Sequence, residues 1–142
     1  MTFWEYIKKS NSGKWIFPLV VNSKIKNIRR IHPLKQKQVD EIVSSIIKED
    51  DVKRLIVFGS ATSNMCHEGS DLDICVVWNF DCFDGEGVYV PKANQLLKRI
   101  SKICEGNVDI MPYTSWMSDE IKEEISKGVT VYVQNAQKIQ SV

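Results

Sequence analysis

The stretch that decides the fold is residues 54–78, RLIVFGSATSNMCHEGSDLDICVVW. It begins with a short run of β-branched and aromatic residues at positions 54–58, which ends at Gly59. A second run, DLDICVVW at positions 71–78, alternates polar and apolar residues at its start. Such runs predict two buried strands, and the glycine and serine residues between them predict a turn.

The rest of the chain adds helices and further strands on both sides of this stretch. Apolar residues at helical spacing predict helices after Pro33 and after Pro91, and a third helix capped by Ser118 and stopped at Gly128. Residues 107–113 and 129–133 predict two more strands. The fold class is therefore α/β (α+β), with one mixed sheet of about four to five strands flanked by helices.

The helix after Pro33 and the segment before it carry specific expectations. The apolar face of that helix is expected to consist of Leu34, Val39, Ile42, Val43, Ile46 and Ile47. Upstream, WIFPLVV at positions 15–21 predicts an edge strand interrupted by Pro18. Residues 24–31, KIKNIRRI, predict a short helix or an irregular basic stretch, and residues 60–66 predict one or two helical turns.

The composition is that of one globular domain. The 142 residues are 43% hydrophobic and 26% charged, with 16 Ile and 15 Val against 6 Leu and 3 Ala, which favours a strand-rich core. No apolar stretch is long enough to span a membrane, and the N-terminus lacks the apolar core of a signal peptide, so we expect a cytoplasmic protein. The four cysteines form no CxxC pair and are expected to be free thiols: Cys66, Cys75, Cys82 and Cys104.

Charge divides the chain into two parts. Residues 1–40 carry nine Lys and Arg and two acidic residues, whereas residues 41–142 carry ten basic and sixteen acidic residues. We therefore divide the chain into a basic N-terminal extension, residues 1–32, and a domain formed by residues 33–142. The extension is interpreted either as a contact surface for phosphate or an acidic partner or as a solvated lysine-rich surface.

Three aspartates have the spacing of a metal site. Side chains alternate along a strand, so Asp71 and Asp73 point to one face, roughly 6–7 Å apart. Asp109 lies between Val108 and Ile110 in a later strand and joins them if the two strands are neighbours. Three carboxylates on one face repel each other, and hard divalent cations such as Mg²⁺ relieve that repulsion. Two such ions would activate an attacking hydroxyl and stabilise a departing pyrophosphate.

Gly59 and Ser60 supply a candidate phosphate site. Glycine lets the backbone approach a ligand, and the N–H groups of a helix beginning at Ser60 would favour negative charge. Ser70, directly before Asp71, is predicted with them as a nucleotide-binding residue. Each motif alone is common, since an isolated SDxD usually forms a turn or helix cap; the combination is far more specific.

The combined pattern resembles the DNA polymerase β-type nucleotidyltransferase superfamily. FGS, ten residues and DLDICV match its signature, and VDIMPYTSWMSDEIKEEISKGVTVYV is similar to the end of its minimal, antitoxin-like members. The resemblance implies that Asp71 and Asp73 hold both metal ions, and that Asp109 completes one site and deprotonates the acceptor. It also implies that Gly59 and Ser60 hold the phosphates of an NTP.

The resemblance further implies an acceptor and a partner. The expected reaction moves NMP, most simply AMP, from an NTP to a hydroxyl of a HEPN-type toxin. The alternatives are transfer to a small molecule of aminoglycoside type and a non-catalytic antitoxin module that binds nucleotide or partner; nucleic acid is a less favoured ligand. Family members often carry a basic residue shortly after Gly-Ser, and residues 61–65 here contain none.

Overall fold

The computed structural model describes residues 15–134. Its helices are α1 (Pro33–Ile46), α2 (Pro91–Ile103) and α3 (Asp119–Ser126), and its strands are β1 (Val52–Phe58), β2 (Leu72–Trp78), β3 (Val108–Pro112) and β4 (Val129–Val133). Two 3₁₀ turns, Ile28–Arg30 and Gly59–Thr62, complete the regular structure of this part of the chain. No helix within residues 15–134 has the length and apolar character needed to cross a membrane.

The strands form one four-stranded sheet in the order β3-β2-β1-β4. β1 is antiparallel to both β2 and β4, whereas β2 and β3 are parallel. A parallel pair needs a crossover connection, and α2 provides it. The predicted α/β fold class with a mixed sheet and flanking helices is confirmed.

The main core lies on the sheet face that α1 and α2 cover. Ile74 and Leu72 of β2, Val57 of β1, Ile42 of α1 and Ile100 of α2 are buried in one cluster there. A smaller cluster on the opposite face consists of Ile56, Phe58, Cys75 and Ile125. Because residues alternate along each strand, β1 and β2 contribute to both clusters.

Two expectations about the first half of the chain are wrong. Residues 15–21 form no strand, because Pro18 has no N–H and this segment bonds elsewhere. The Phe17 N–H donates to the carbonyl of Arg29 at 2.6 Å. The second wrong expectation concerns the apolar face of α1, because Leu34 and Ile47 were expected there and are exposed. Leu34 lies in the first turn and Ile47 is the C-cap, and the inward-facing positions beside them are occupied by Lys35, Gln36 and Ile46, which are buried.

Residues 15–32 pack against the domain that follows them. Phe17, Ile28 and Ile31 are buried, and Ile28 and Ile31 belong to the main core. The buried Gln36 amide of α1 accepts from the Val20 N–H and donates to the carbonyls of Pro18 and Ile31. Residues 1–14, with their basic side chains, and residues 135–142 lie outside the described part.

The four cysteines are buried free thiols, as predicted. Burial raises the pKa of the Cys75 thiol to about 11. The same cause raises the pKa of Cys104 to about 11. Cys75 and Cys104 are part of the packing, and their raised pKa values favour the protonated thiol.

Candidate active site

Two of the predicted aspartates are direct neighbours in the sheet. The parallel register of β2 and β3 pairs Asp73 with Asp109. Neighbouring strands lie about 4.8 Å apart, so both side chains leave the same sheet face side by side. The residues around them, Leu72 and Ile74, are buried on the opposite face. The condition set by the sequence, that the two aspartate strands be adjacent, is met.

The Asp73 carboxylate has an electrostatic environment that disfavours its charge. Burial raises the pKa of Asp73 above its ordinary value, and the negative charges of Asp109 and Asp71 raise it further. A group in this position gains from a nearby cation, because a cation offsets both the lost hydration and the repulsion. The environment of Asp73 therefore favours a bound cation beside this carboxylate.

Asp71 lies just before β2 and is exposed. Its charge reaches Asp73, as the raised pKa of Asp73 indicates. Within residues 15–134, however, no three His, Cys, Asp or Glu side chains are arranged as a ready-made metal site. The pair Asp73 and Asp109 is thus formed by the strand register, and the three-carboxylate set remains a prediction.

Gly59 sits against the Asp73 carboxylate. Phe58, the last residue of β1, pairs with Asp73 across the antiparallel ladder, so the following turn passes directly beside that side chain. Gly59 has φ +74°, and a Cβ at this position would overlap the Asp73 carboxylate oxygen. Both the backbone conformation and the lack of space therefore require glycine here.

The turn that follows β1 is shorter than an α-helix. Gly59–Thr62 form one 3₁₀ turn in which the Thr62 hydroxyl donates to the Gly59 carbonyl at 2.8 Å. The Ser63 N–H and hydroxyl both donate to the Ser60 carbonyl. The turn is fixed by these bonds, and the half-buried Ser60 directly follows the glycine that lies against Asp73.

Ser70 closes the loop between the turn and β2. Its side-chain oxygen accepts from the His67 N–H at 3.0 Å, and Gly69 lies against the His67 ring. This bond orients the residues that lead into Asp71. Binding of nucleotide by Ser70 remains a prediction.

Lys35 is a cation near this end of the sheet that the sequence analysis did not single out. It lies in the first turn of α1 and is only 3% exposed. Burial lowers the pKa of His32, and the charge of Lys35 lowers it further. The His32 N–H donates to the carbonyl of Ala61 at 2.7 Å, so α1 begins beside the Gly59–Thr62 turn. The helical spacing from Lys35 to the buried Val39, Ile42 and Ile46 could have identified it as an inward-facing residue.

A family model named Polymerase beta, Nucleotidyltransferase matches residues 40–137. The match includes Gly59, Ser60 and all three predicted aspartates. It covers more than half of the chain and confirms both the family and the enzyme class predicted from the sequence. No curated protein matches significantly.

Three solved structures of similar fold come from toxin–antitoxin complexes. A chain of a toxin–antitoxin complex with AMP-PNP is 17% identical with a TM-score of 0.49, covering 74% of this chain and 77% of that one. A chain of the complex of the tri-AMPylated Shewanella oneidensis HEPN toxin with the MNT antitoxin is 17% identical, with a TM-score of 0.48 and coverages of 75% and 78%. A chain of the MntA-HepT complex is 16% identical, with a TM-score of 0.44 and coverages of 76% and 77%.

Because all three TM-scores are below 0.5, the assignment rests on the family model together with the register that pairs Asp73 and Asp109. The chain belongs to the polymerase β-type nucleotidyltransferase family.

Proposed function

We propose that this protein transfers NMP, most simply AMP, from an NTP to a hydroxyl group of a protein acceptor. The observation that carries the proposal is the pairing of Asp73 with Asp109 beside the glycine turn at the end of β1. This places a pair of carboxylates next to a segment that a phosphate chain can approach closely. Such sites catalyse phosphoryl chemistry mainly by positioning and electrostatic stabilisation.

The carboxylates fit Mg²⁺ as a cofactor. Their oxygen atoms are the ligands that Mg²⁺ prefers, and the raised pKa of Asp73 reflects repulsion that a cation would remove. We assign Asp71, Asp73 and Asp109 as the residues that hold it, with two ions expected. When bound, Mg²⁺ would neutralise charge on the nucleotide phosphates and on the leaving pyrophosphate.

The proposed step is an in-line displacement. The acceptor oxygen forms a bond to the α-phosphorus, the bond between that phosphorus and the bridging oxygen breaks, and pyrophosphate leaves. Asp109 takes the proton of the acceptor hydroxyl. Gly59, Ser60 and Ser70 hold the nucleotide phosphates, with the Ser60 hydroxyl donating to a phosphate oxygen.

The acceptor is proposed by resemblance. The segment from Val108 to Val133 is similar in sequence to the end of antitoxin-like minimal nucleotidyltransferases, so we propose a toxin of HEPN type as both partner and acceptor. Residues 1–32 are proposed as a basic extension that docks an acidic surface of this partner, with residues 33–142 as the catalytic domain. Arg29 is exposed but donates from Nε to the Phe17 carbonyl, so the exposed Lys24 and Lys26 are the clearer residues to test in this role.

The decisive experiment compares ATP labelled at the α-phosphate with ATP labelled at the γ-phosphate. With Mg²⁺ and a HEPN-type protein as acceptor, the α-label should become covalently attached to protein, and the γ-label should not. An Asp73→Asn variant should lose the transfer, whereas Asp40→Asn, a carboxylate change on α1, should retain it.

Nucleotide binding gives a second, independent measurement. A ligand that binds only the folded state raises its stability by about 2.7 kcal/mol at one hundred times its dissociation constant. We expect a higher melting temperature with an NTP and Mg²⁺ together. A shift without any transfer would favour the non-catalytic antitoxin, and transfer to an aminoglycoside instead of protein would favour the small-molecule alternative.

A further inference from the structure

A basic pocket lies on the same sheet face as the carboxylates, at the opposite end of the strands. The register places Asp73 and Asp109 in one row of this face and Arg54 and Val77 in another. The two rows are four positions apart along each strand, with three residues between them, which corresponds to about 13 Å. The cavity at the second row has a volume of about 420 Å³, within the range of ligand pockets.

The charge of this pocket is positive. Lys53, Arg54 and Lys122 line it, together with the apolar side chains of Ile56 and Ile125. Among residues 15–134, ion pairs connect only Lys92 with Asp51, Arg99 with Glu49, and Lys127 with Glu123. The three cations of the pocket therefore have no acidic partner in the described part of the chain.

One exposed aromatic side chain lines the same pocket, and a second lies three residues further along the chain. Tyr113 lines it and is 46% exposed. Trp116 is 74% exposed, and the adjacent Ser115 carbonyl accepts from the Lys122 ammonium at 2.9 Å. Arginine, tyrosine and tryptophan are the residue types that dominate the energetics of protein–protein interfaces. Cations around a partly apolar cavity with an aromatic rim match a protein segment that carries acidic and apolar side chains.

We propose that this basic pocket binds an acidic segment of the protein acceptor, with a carboxylate of that segment at Arg54 and Lys122. The acceptor hydroxyl then lies at the Asp73–Asp109 row, about 13 Å away. Bound at both ends, the acceptor is held in the orientation that the transfer needs, which lowers the entropic part of the barrier. The inference rests on the proposed function for the location of the hydroxyl, whereas the pocket itself is tested by binding alone.

The probes are fluorescent peptides with one tyrosine and three consecutive glutamates, separated by one to eight glycine and serine residues. We expect Arg54→Glu combined with Lys122→Glu to weaken peptide binding at least tenfold, and to leave Mg²⁺-dependent ATP binding unchanged. Arg54→Gln combined with Lys122→Gln repeats the test without adding negative charge to α3. The matched control is Lys98→Glu combined with Lys102→Glu, an equal charge change on exposed positions of α2, and it should bind the peptide normally.

The distance between the basic pocket and the Asp73–Asp109 row is tested by transfer of label from α-labelled ATP to the tyrosine of each peptide. At 3.3 Å per residue, an extended peptide should be labelled best when about three residues stand between the tyrosine and the first glutamate, which places the two about 13 Å apart. Binding should also weaken with salt, because the contacts are between charged groups.

The outcomes separate this inference from the proposed function. Peptide binding that depends on Arg54 and Lys122, without label transfer from any NTP, would support the pocket and contradict the proposed enzyme activity. Transfer with no difference between the pocket variants and the α2 control would overturn the pocket. Binding of an oligothymidylate in place of the acidic peptide would also overturn it, since the pocket would then serve nucleic acid.

Discussion

The two faces of the sheet differ although the same strands form them. The face toward α1 and α2 is closed by branched apolar side chains such as Ile74, which is fully buried. The opposite face has only a small apolar cluster and leaves Asp73 and Asp109 beside a partly open surface. Adjacent residues of β2 therefore have different roles. Ile74 stabilises the domain, whereas Asp73 lies in the candidate site.

The largest effect that we expect is on the open face. Asp73→Asn removes a carboxylate that is proposed to hold Mg²⁺, and metal sites supply several kcal/mol of transition-state stabilisation. Transfer should fall by on the order of 10³-fold. The folded state should be equally or more stable, because one of the mutually repelling charges is gone. Label transfer and a thermal melt of the same preparation measure both, and retained transfer would remove Asp73 from the site.

Substitution of Ile74, the residue after Asp73, should have the opposite effect, with lower stability and retained transfer. Ile74→Ala leaves a cavity in the main core and should lower the free energy of unfolding by about 2–5 kcal/mol. Urea unfolding measures this loss, and transfer by the remaining folded protein should continue at a temperature well below the melting point. If Asp73→Asn and Ile74→Ala lowered stability equally, the division between the two faces would be wrong.

Ser60→Ala tests whether the Ser60 hydroxyl, on the open face, contributes to nucleotide binding. A hydrogen bond to a charged group is worth roughly 1.5–3 kcal/mol, so nucleotide affinity should fall about 10- to 150-fold while the fold is retained. Titration with Mg²⁺ and a fluorescent NTP analogue measures the affinity. Ser44→Ala, an exposed serine on α1, is the control. Unchanged affinity would mean that Ser60 only forms the turn.

Gly59→Ala tests how closely the turn approaches Asp73. The positive φ and the overlap with the carboxylate should cost roughly 1–3 kcal/mol and displace Asp73, so that transfer is lost as well. The control is Gly85→Ala, because a Cβ at Gly85 meets no atom within 4 Å. Equal stability and activity of the two variants would contradict the close approach seen here.

The smallest expected effect is a pH dependence of stability. The pKa of Asp73 is raised in the folded state, so its ionisation opposes folding above that pKa. Protonation removes this cost as the pH falls from the raised pKa toward the unfolded value near 4. The advantage of Asp73→Asn in melting temperature should therefore be largest at neutral pH and vanish near pH 4. An advantage independent of pH would point to a cause other than charge.

The fold was predictable where the local pattern and the burial agree. β2, β3, β4, α2 and α3 were identified within one or two residues, because each has clear periodicity and all but β2 have a capping residue, a proline or a glycine at a boundary. Residues 15–21 were misassigned because their β-branched and aromatic composition favours a strand, whereas their hydrogen bonds go to Arg29 and Gln36. Those partners are distant in sequence and leave no local signal.

By itself, the sequence predicted the family and the fold class, which are confirmed, and a set of site residues, since strand alternation and motif spacing are properties of the chain. Only the tertiary structure decided which strands are neighbours, and with it that Asp73 lies beside Asp109 and that Gly59 passes against Asp73. It also decided that Arg54, Lys122 and Tyr113 surround one pocket on the carboxylate face. The physical reason is that strand order and register are set by packing between distant segments, which no local pattern records.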